Sequence, residues 1–153
     1  PYNIRPTGPS DIRRIEAGIL NYGVDMTLEN NPFEVGLERL LDLDKETDFI
    51  GREALRRTSR EGPGRRLVGV EIEAAPLELN STRWAVWKDG VAVGTVTSAV
   101  YSPRLQKNIG YALVPVAYAT PGTELRIETP LGAARAVVAP MPFIDPHKRI
   151  PKS

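Results

Sequence analysis

The sequence predicts an α+β protein in which a mixed, partly helical leading segment is followed by a set of short antiparallel strands. Three observations carry this. Ile12, Ile15, Ile19 and Tyr22 recur at helical spacing, Glu61-Gly62-Pro63-Gly64 interrupts the chain, and beyond Gly64 the apolar residues repeat every second position. At 153 residues the chain fits one ordinary domain, or a small domain carrying a piece of another.

In chain order, Ser10 or Asp11 can accept a hydrogen bond from an orphan amide of a first helical turn, and Gly23 sits where a helix end tolerates positive φ. The expected helix therefore runs from Ser10 to Asn21, with Tyr22 at the edge of the core. Between Asp25 and Pro32 the polar run reads as a loop, since Pro32 biases Asn31 away from helical backbone. Leu37, Leu40, Leu41 and Leu43 fit strand or helix equally well. A second short helix is expected from Gly51 to about Ser59, with Ala54 and Leu55 inward and a basic outer face. The chain break places a boundary that divides residues 1–62 from residues 63–153.

Six strand-like runs follow: Leu67–Ile72, Trp84–Trp87, Val91–Val96, Ile109–Val114, Glu124–Glu128 and Arg135–Val138. Lys88-Asp89-Gly90 marks a hairpin between the second and third. Short strands at this spacing suggest a small barrel or a sandwich, because closing the sheet removes exposed edges. Trp84 and Trp87, three apart, point to opposite sheet faces and cannot form one stacking platform.

Composition excludes several function classes. Twenty basic and nineteen acidic side chains leave a formal charge of +1, so no net field recruits nucleic acid or an anionic membrane. The arginines at 52, 56, 57, 60, 65 and 66 are interrupted by Glu53 and Glu61, as on a solvated mixed-charge face. No stretch within these residues approaches the roughly 18 apolar residues of a membrane span or has the pattern of a secretory signal. With no cysteine, disulfide frameworks, thiolate catalysis and Cys-ligated metal sites are excluded, and a cytoplasmic setting is expected. The sequon Asn80-Ser81-Thr82 would matter only in a secreted protein. The start at Pro1 suggests a cut through a longer polypeptide or a processed terminus.

Residue chemistry alone names no reaction. His147, the only histidine, has just Asp145 nearby and reads as a solvated tail residue. Asp25, Glu29 and Glu34 could supply paired carboxylates, although acidic loop residues more often cap helices or face water. Tyr22 and Tyr101 could stack on a planar ligand.

A set of ordered motifs goes further. Arg14-Ile15-Glu16-Ala17-Gly18, Tyr22-Gly23-x-Asp25-Met26, Asn31-Pro32-Phe33-Glu34-x-Gly36-Leu37 and Asp48-Phe49-Ile50-Gly51-Arg52-Glu53-Ala54-Leu55 precede the strands. Within them lie Arg66-Leu67-Val68-Gly69, Gly94-Thr95-Val96-Thr97-Ser98, Ser102-Pro103 and Met141-Pro142-Phe143-Ile144. Together they resemble the C-terminal half of the glycine-cleavage T-protein (aminomethyltransferase) family over nearly the whole chain. Among its branches the sequence is most similar to the dimethylsulfoniopropionate demethylase-like one, through Asn30-Asn31-Pro32-Phe33-Glu34 and Ser98-Ala99-x-Tyr101-Ser102-Pro103-x-x-Gln106-Lys107-x-Ile109-Gly110. O-demethylases of methoxylated aromatic acids look similar here too. Where aminomethyltransferases typically carry an arginine ahead of the helix, a tryptophan after the Gly-Leu pair and a tyrosine in the tail, this chain has Ser10, Arg39 and about Lys148. The absence of cysteine removes the iron-sulfur maturation branch.

The resemblance implies that residues 1–62 end a folate-binding region and that residues 63–153 form a six-stranded antiparallel β-barrel. The implied activity is tetrahydrofolate-dependent transfer of a methyl group from a small-molecule donor, with the catalytic groups in upstream sequence and none within this chain. Alternatives are the aminomethyltransferase of glycine cleavage, partnered by a lipoyl carrier protein, and a non-enzymatic folate-binding protein. The implied partners are the donor and the N-terminal part of the same protein, with neither nucleic acid nor membrane. Ser10, Tyr22, Arg39 and Tyr101 are the candidates for lining the folate tunnel, Arg39 by pairing with the anionic glutamate tail.

Overall fold

The computed structural model describes residues 10–146. Its centre is a closed antiparallel barrel of six strands: β1 (Arg65–Glu73), β2 (Trp84–Lys88), β3 (Val91–Ser102), β4 (Lys107–Pro115), β5 (Glu124–Thr129) and β6 (Gly132–Ala139). The strand order is β1-β4-β3-β2-β5-β6, and β6 returns to pair with β1 from Gly69↔Ala139 to Glu73↔Arg135. Closure leaves no free sheet edge, which settles the choice between barrel and sandwich. All six expected runs are strands, and β3 continues past Val96 to Ser102.

The barrel interior is filled by alternate residues: Val68, Val70 and Ile72 from β1, Trp84 and Val86 from β2, Ala112 and Val114 from β4, Leu125 and Ile127 from β5, and Ala134, Ala136 and Val138 from β6. In β5 burial alternates strictly, so its outer face meets water. By contrast, Leu67–Val70, Val96–Val100 and Asn108–Ala112 are buried at every position. The outer face of β1, β4 and β3 is therefore covered as well. Leu67, Val100, Ile109 and Tyr111 form a second core there with Ile15 and Val35 of the leading segment.

Two glycines permit this packing. A Cβ on Gly94 would lie 2.2 Å from the carbonyl oxygen of Leu113, and one on Gly110 would lie 2.4 Å from that of Ser98, so β3 and β4 approach as closely as they do only without side chains there. Trp84 is buried in the barrel while Trp87 is half-buried, with the Arg126 guanidinium 5.8 Å from its ring centre. The two indoles occupy opposite faces, as their spacing requires.

The leading segment contains less helix than its sequence suggests. α1 spans only Asp11–Glu16, and its C-terminal glycine is Gly18 (φ 71°), not Gly23. Gly18 N–H donates to the Ile15 carbonyl and Ile19 N–H to that of Arg14, a Schellman ending that satisfies the last orphan carbonyls. Ile12 and Ile15 point inward, whereas Ile19 and Tyr22, expected on the same face, are exposed beyond the helix end. Residues 38–40 form a single 3-10 turn where strand or helix had been open. α2 spans Arg52–Glu61, and its Ala54 is exposed where it was expected inward, while Leu55 is half-buried. Arg52 and Arg56 of α2 both donate to the Leu43 carbonyl, and Arg60, Arg65 and Arg66 pair with Glu53, Glu34 and Glu38. No described helix is long and apolar enough to cross a membrane.

Candidate functional site

The site is built where α1 docks on the barrel wall. Ile15 fills the outer core over β3 and β4, and the buried Tyr111 hydroxyl lies 3.0 to 3.4 Å from the carbonyl oxygens of Ile15, Arg14 and Ile19 at the helix end. Burial, reinforced by the Asp25 carboxylate and opposed by Arg14, pushes the Tyr111 phenol far above its ordinary range. It is a fixed neutral donor at any physiological pH.

Beside it Asp25 is buried as the centre of a polar hub. Its Oδ1 accepts from Thr97 Oγ1 at 2.8 Å and Ser98 Oγ at 2.6 Å, and its Oδ2 accepts from Arg14 Nη1 at 2.8 Å and the Asn21 N–H at 2.9 Å. Two neighbouring strand residues reach one oxygen because the β3–β4 register slips between Val96 and Ser98, leaving Thr97 as the extra residue of a bulge. Arg14 also donates to Ser98 Oγ at 3.0 Å and to Asp11 at 2.7 Å. Burial works against the Arg14 charge, but the two carboxylates outweigh it and raise the guanidinium pKa. Ser98 is no nucleophile in this setting: its proton goes to Asp25 and its lone pair faces a cation. The hub locks the chain from Asn21 to Asp25 onto the barrel.

A second buried pair lies at the other side of α1. Ser102 Oγ donates to Glu16 Oε1 at 2.5 Å and accepts from the Leu105 N–H, while the Ile144 N–H donates to the Glu16 carbonyl. These bonds shape a cavity of about 710 Å³ between α1, the turn at Pro103 and Arg104, and the segment from Pro142 to Asp145. Its walls are Ile12, Ile19, Pro103, Pro142 and Ile144, and Ser10, Arg13, Glu16 and Arg104 bring polar groups to it. Such a volume with an apolar wall and a few polar groups suits a small organic ligand.

The expected site residues are dispersed. Ser10 lines this cavity, but its hydroxyl also caps α1 by accepting from the Arg13 N–H at 3.4 Å. Tyr101 is half-buried in a different cavity of about 380 Å³ with Glu71, Lys107 and Asn108. Tyr22 is 62% exposed, no core-edge residue, and Arg39 is exposed in the 3-10 turn. Of the three acidic residues considered as a pair, Asp25 forms the hub and Glu34 accepts from Arg65 and Asn30, so neither caps a helix or faces water; Glu29 is exposed. His147 and Lys148 lie outside the described residues.

Sequence reasoning missed the roles of Arg14, Glu16, Asp25, Thr97, Ser98 and Ser102, although all six stand inside the motifs quoted for the resemblance. Asn108 and Asn80 gave no such signal. Asn108 accepts from the Leu77 N–H at 2.8 Å, and Asn80 accepts from the Ala99 N–H at 2.6 Å, so both tie the β1–β2 connection to the barrel.

Comparison with known proteins fits this arrangement. Residues 65–145 match the family model described as the glycine cleavage T-protein C-terminal barrel domain. The chain belongs to this T-protein family. An aminomethyltransferase of Synechococcus sp. (strain CC9902) is 41% identical over 136 residues, covering 89% of this chain and 37% of the relative. The dimethylsulfoniopropionate demethylase DmdA of Ruegeria pomeroyi is 37% identical over 132 residues, covering 85% and 35%. The crystal structure of glycine cleavage system aminomethyltransferase T from Bartonella henselae superposes with a TM-score of 0.78 at 26% identity, over 88% of this chain and 37% of that one. The chain thus spans little more than a third of the T-protein relatives it matches, and both the aminomethyltransferase and the demethylase branch are among them. The Asp25 hub and the Glu16–Ser102 pair tie residues ahead of the matched barrel to strands within it.

Proposed function

We propose that this chain is the C-terminal portion of a tetrahydrofolate-dependent one-carbon transferase, most like the methyl-transferring demethylase branch. In this reading residues 1–62 end the folate-binding region and residues 63–153 are the barrel that closes one wall of the folate enclosure. The observation that carries it is the leading segment. The buried hub and the outer core dock its first part, from Ile12 to Leu37, on the barrel, and across the whole segment Ile19, Tyr22, Val24, Leu28, Leu40, Phe49 and Ile50 expose large apolar side chains. A docked segment so apolar outside suits a wall that faces further protein.

The residues present fit a folate. The cavity beside α1 combines an apolar wall with Arg13, Glu16 and Arg104, and Ser10 stands at it. Tyr22, Arg39 and Tyr101 are proposed as further parts of the wall, with Arg39 toward the glutamate tail. Tetrahydrofolate, when bound, supplies the nitrogen that accepts the one-carbon unit. The work of these residues is to bind, orient and exclude water, and a sulfonium methyl needs little more because its thioether leaves neutral. A donor pocket and any proton-moving groups belong to the upstream part, and a cytoplasmic setting goes with this chemistry.

A second reading has its own support in the aminomethyltransferase relatives at 41% identity. It would add a lipoyl carrier protein as partner. Assaying the longer polypeptide decides between them. Methyl-tetrahydrofolate formed from a sulfonium or methoxy donor supports the first reading. Methylene-tetrahydrofolate formed from the aminomethyl-loaded carrier replaces it with the second, and folate binding without turnover removes both.

A further inference from the structure

Residues 38–64 leave the outer core and return to the same place. Val35 belongs to that core and Leu37 packs against it on the way out, and Leu67 joins it on the way back. A stem ties the two ends together. The Leu67 N–H donates to the Glu34 carbonyl at 2.6 Å, Arg65 Nε donates to Glu34 Oε1 at 3.1 Å, and Arg66 pairs with Glu38 at 3.6 Å. The Val116 N–H adds a bond to the Gly64 carbonyl at 3.2 Å.

Between these ends the chain attaches to nothing else. No residue from 38 to 64 is buried, and none belongs to either core. Among the described residues, every hydrogen bond and ion pair of residues 41–62 closes within residues 38–62. Arg52 and Arg56 donate to the Leu43 carbonyl at 3.0 and 2.9 Å, so α2 is tied to its own approach segment. The helix has ten residues, and Gly51 at its N-terminus supplies no side-chain cap. So short a helix without a buried face is marginal in water, because most helical stability in proteins comes from packing. The stem holds the ends together whether or not the intervening chain is ordered. Melting that chain therefore releases conformational entropy and breaks no core contact.

We propose that residues 38–64 form a strap that melts and re-forms as one unit while residues 10–37 and the barrel stay folded. It is an order–disorder element with both ends pinned. The tether from Arg52 and Arg56 to Leu43 makes the transition collective, since α2 and its approach segment lose their partners together. When ordered, the strap presents Leu40, Phe49 and Ile50 in a fixed arrangement on its surface; when melted, it presents none. This goes beyond the folate reading and does not depend on it.

The test is native-state hydrogen exchange of the 153-residue chain, read by amide NMR in urea below the unfolding transition. The α2 amides from Leu55 to Gly62 should share one opening constant with weak urea dependence. That constant should be about a hundredfold or more above those of Val70 in β1 and Ala112 in β4. Arg52→Ala with Arg56→Ala removes the tether while installing a better helix former, so a rise in α2 opening of about threefold or more reports the tether and not propensity. That variant should leave strand exchange and the melting temperature unchanged. Tyr111→Phe should do the reverse, raising strand opening and leaving α2 as it was. The proposal is overturned by α2 amides that are unprotected, that open in step with β1, or that show dispersed opening constants. It is overturned equally by α2 opening that does not rise in the arginine variant, or that responds to Tyr111→Phe.

Discussion

Asp25 shows how much one carboxylate can organise. All four of its acceptor positions are used, its side chain is fully buried, and its partners come from α1, the following loop and β3. Replacing it by alanine leaves Arg14 without its buried partner and should cost about 3 to 5 kcal/mol of stability, toward the lower end because Asp11 still engages Arg14. Urea unfolding of the variant checks this. Tyr111→Phe should cost about 1 to 3 kcal/mol by leaving the α1 carbonyls short of a donor. It should also alter the alkaline limb. Because the folded phenol pKa is raised, the unfolded chain gives up its proton first, so stability is complete below the unfolded value of about 10 and falls as pH rises toward the folded one. Denaturation midpoints at pH 8 and 11 should therefore fall further in the parent than in Tyr111→Phe, and an equal fall would show that the phenol is not held neutral. None of this was legible from residue types. An aspartate in a polar loop looks solvated, and only the β3 bulge, which periodicity cannot show, brings two hydroxyls to it.

At the scale of elements, the strands were legible and the leading segment was not. Strand alternation and the Asp89-Gly90 turn are local signals, and they place all six strands correctly. The helix ending was misjudged because two glycines compete. Gly18 ends α1 as soon as the Tyr111 hydroxyl is available to the turn, and the apolar spacing of Ile19 and Tyr22 then continues outside any helix. The continuous burial within β1, β3 and β4 was not legible, because the sequence there reads as alternation and only the docked leading segment covers the second face. The close approach of β3 and β4 gives a test at this scale. Gly94→Ala puts a methyl 2.2 Å from the Leu113 carbonyl, so the strands must part, at a cost of about 1 to 3 kcal/mol or more. Thermal unfolding measures it, and Ala92→Gly on the exposed part of the same strand is the control that should change little.

Over the whole molecule, a closed barrel with one face covered and a leading segment that exposes seven large apolar side chains is an architecture suited to one wall of a larger enclosure. The family blocks pointed to the barrel before any coordinate did, since they include hub, pair and barrel residues that have no local signature. They did not reveal which side chains converge: Ser10 lines the cavity beside α1 with Arg13, Glu16 and Arg104, whereas Tyr22, Arg39 and Tyr101 occupy separate places. Arg39, exposed in its turn and in no ion pair among the described residues, should still contribute at long range if the glutamate tail passes it, and Arg39→Glu should weaken folate binding to the longer polypeptide without changing its melting temperature. The most direct measurement is the affinity of tetrahydrofolate for the 153-residue chain against that for the longer polypeptide. A wall supplying only part of the grip predicts binding about a hundredfold weaker or more in the chain alone, and equal affinity would contradict the account.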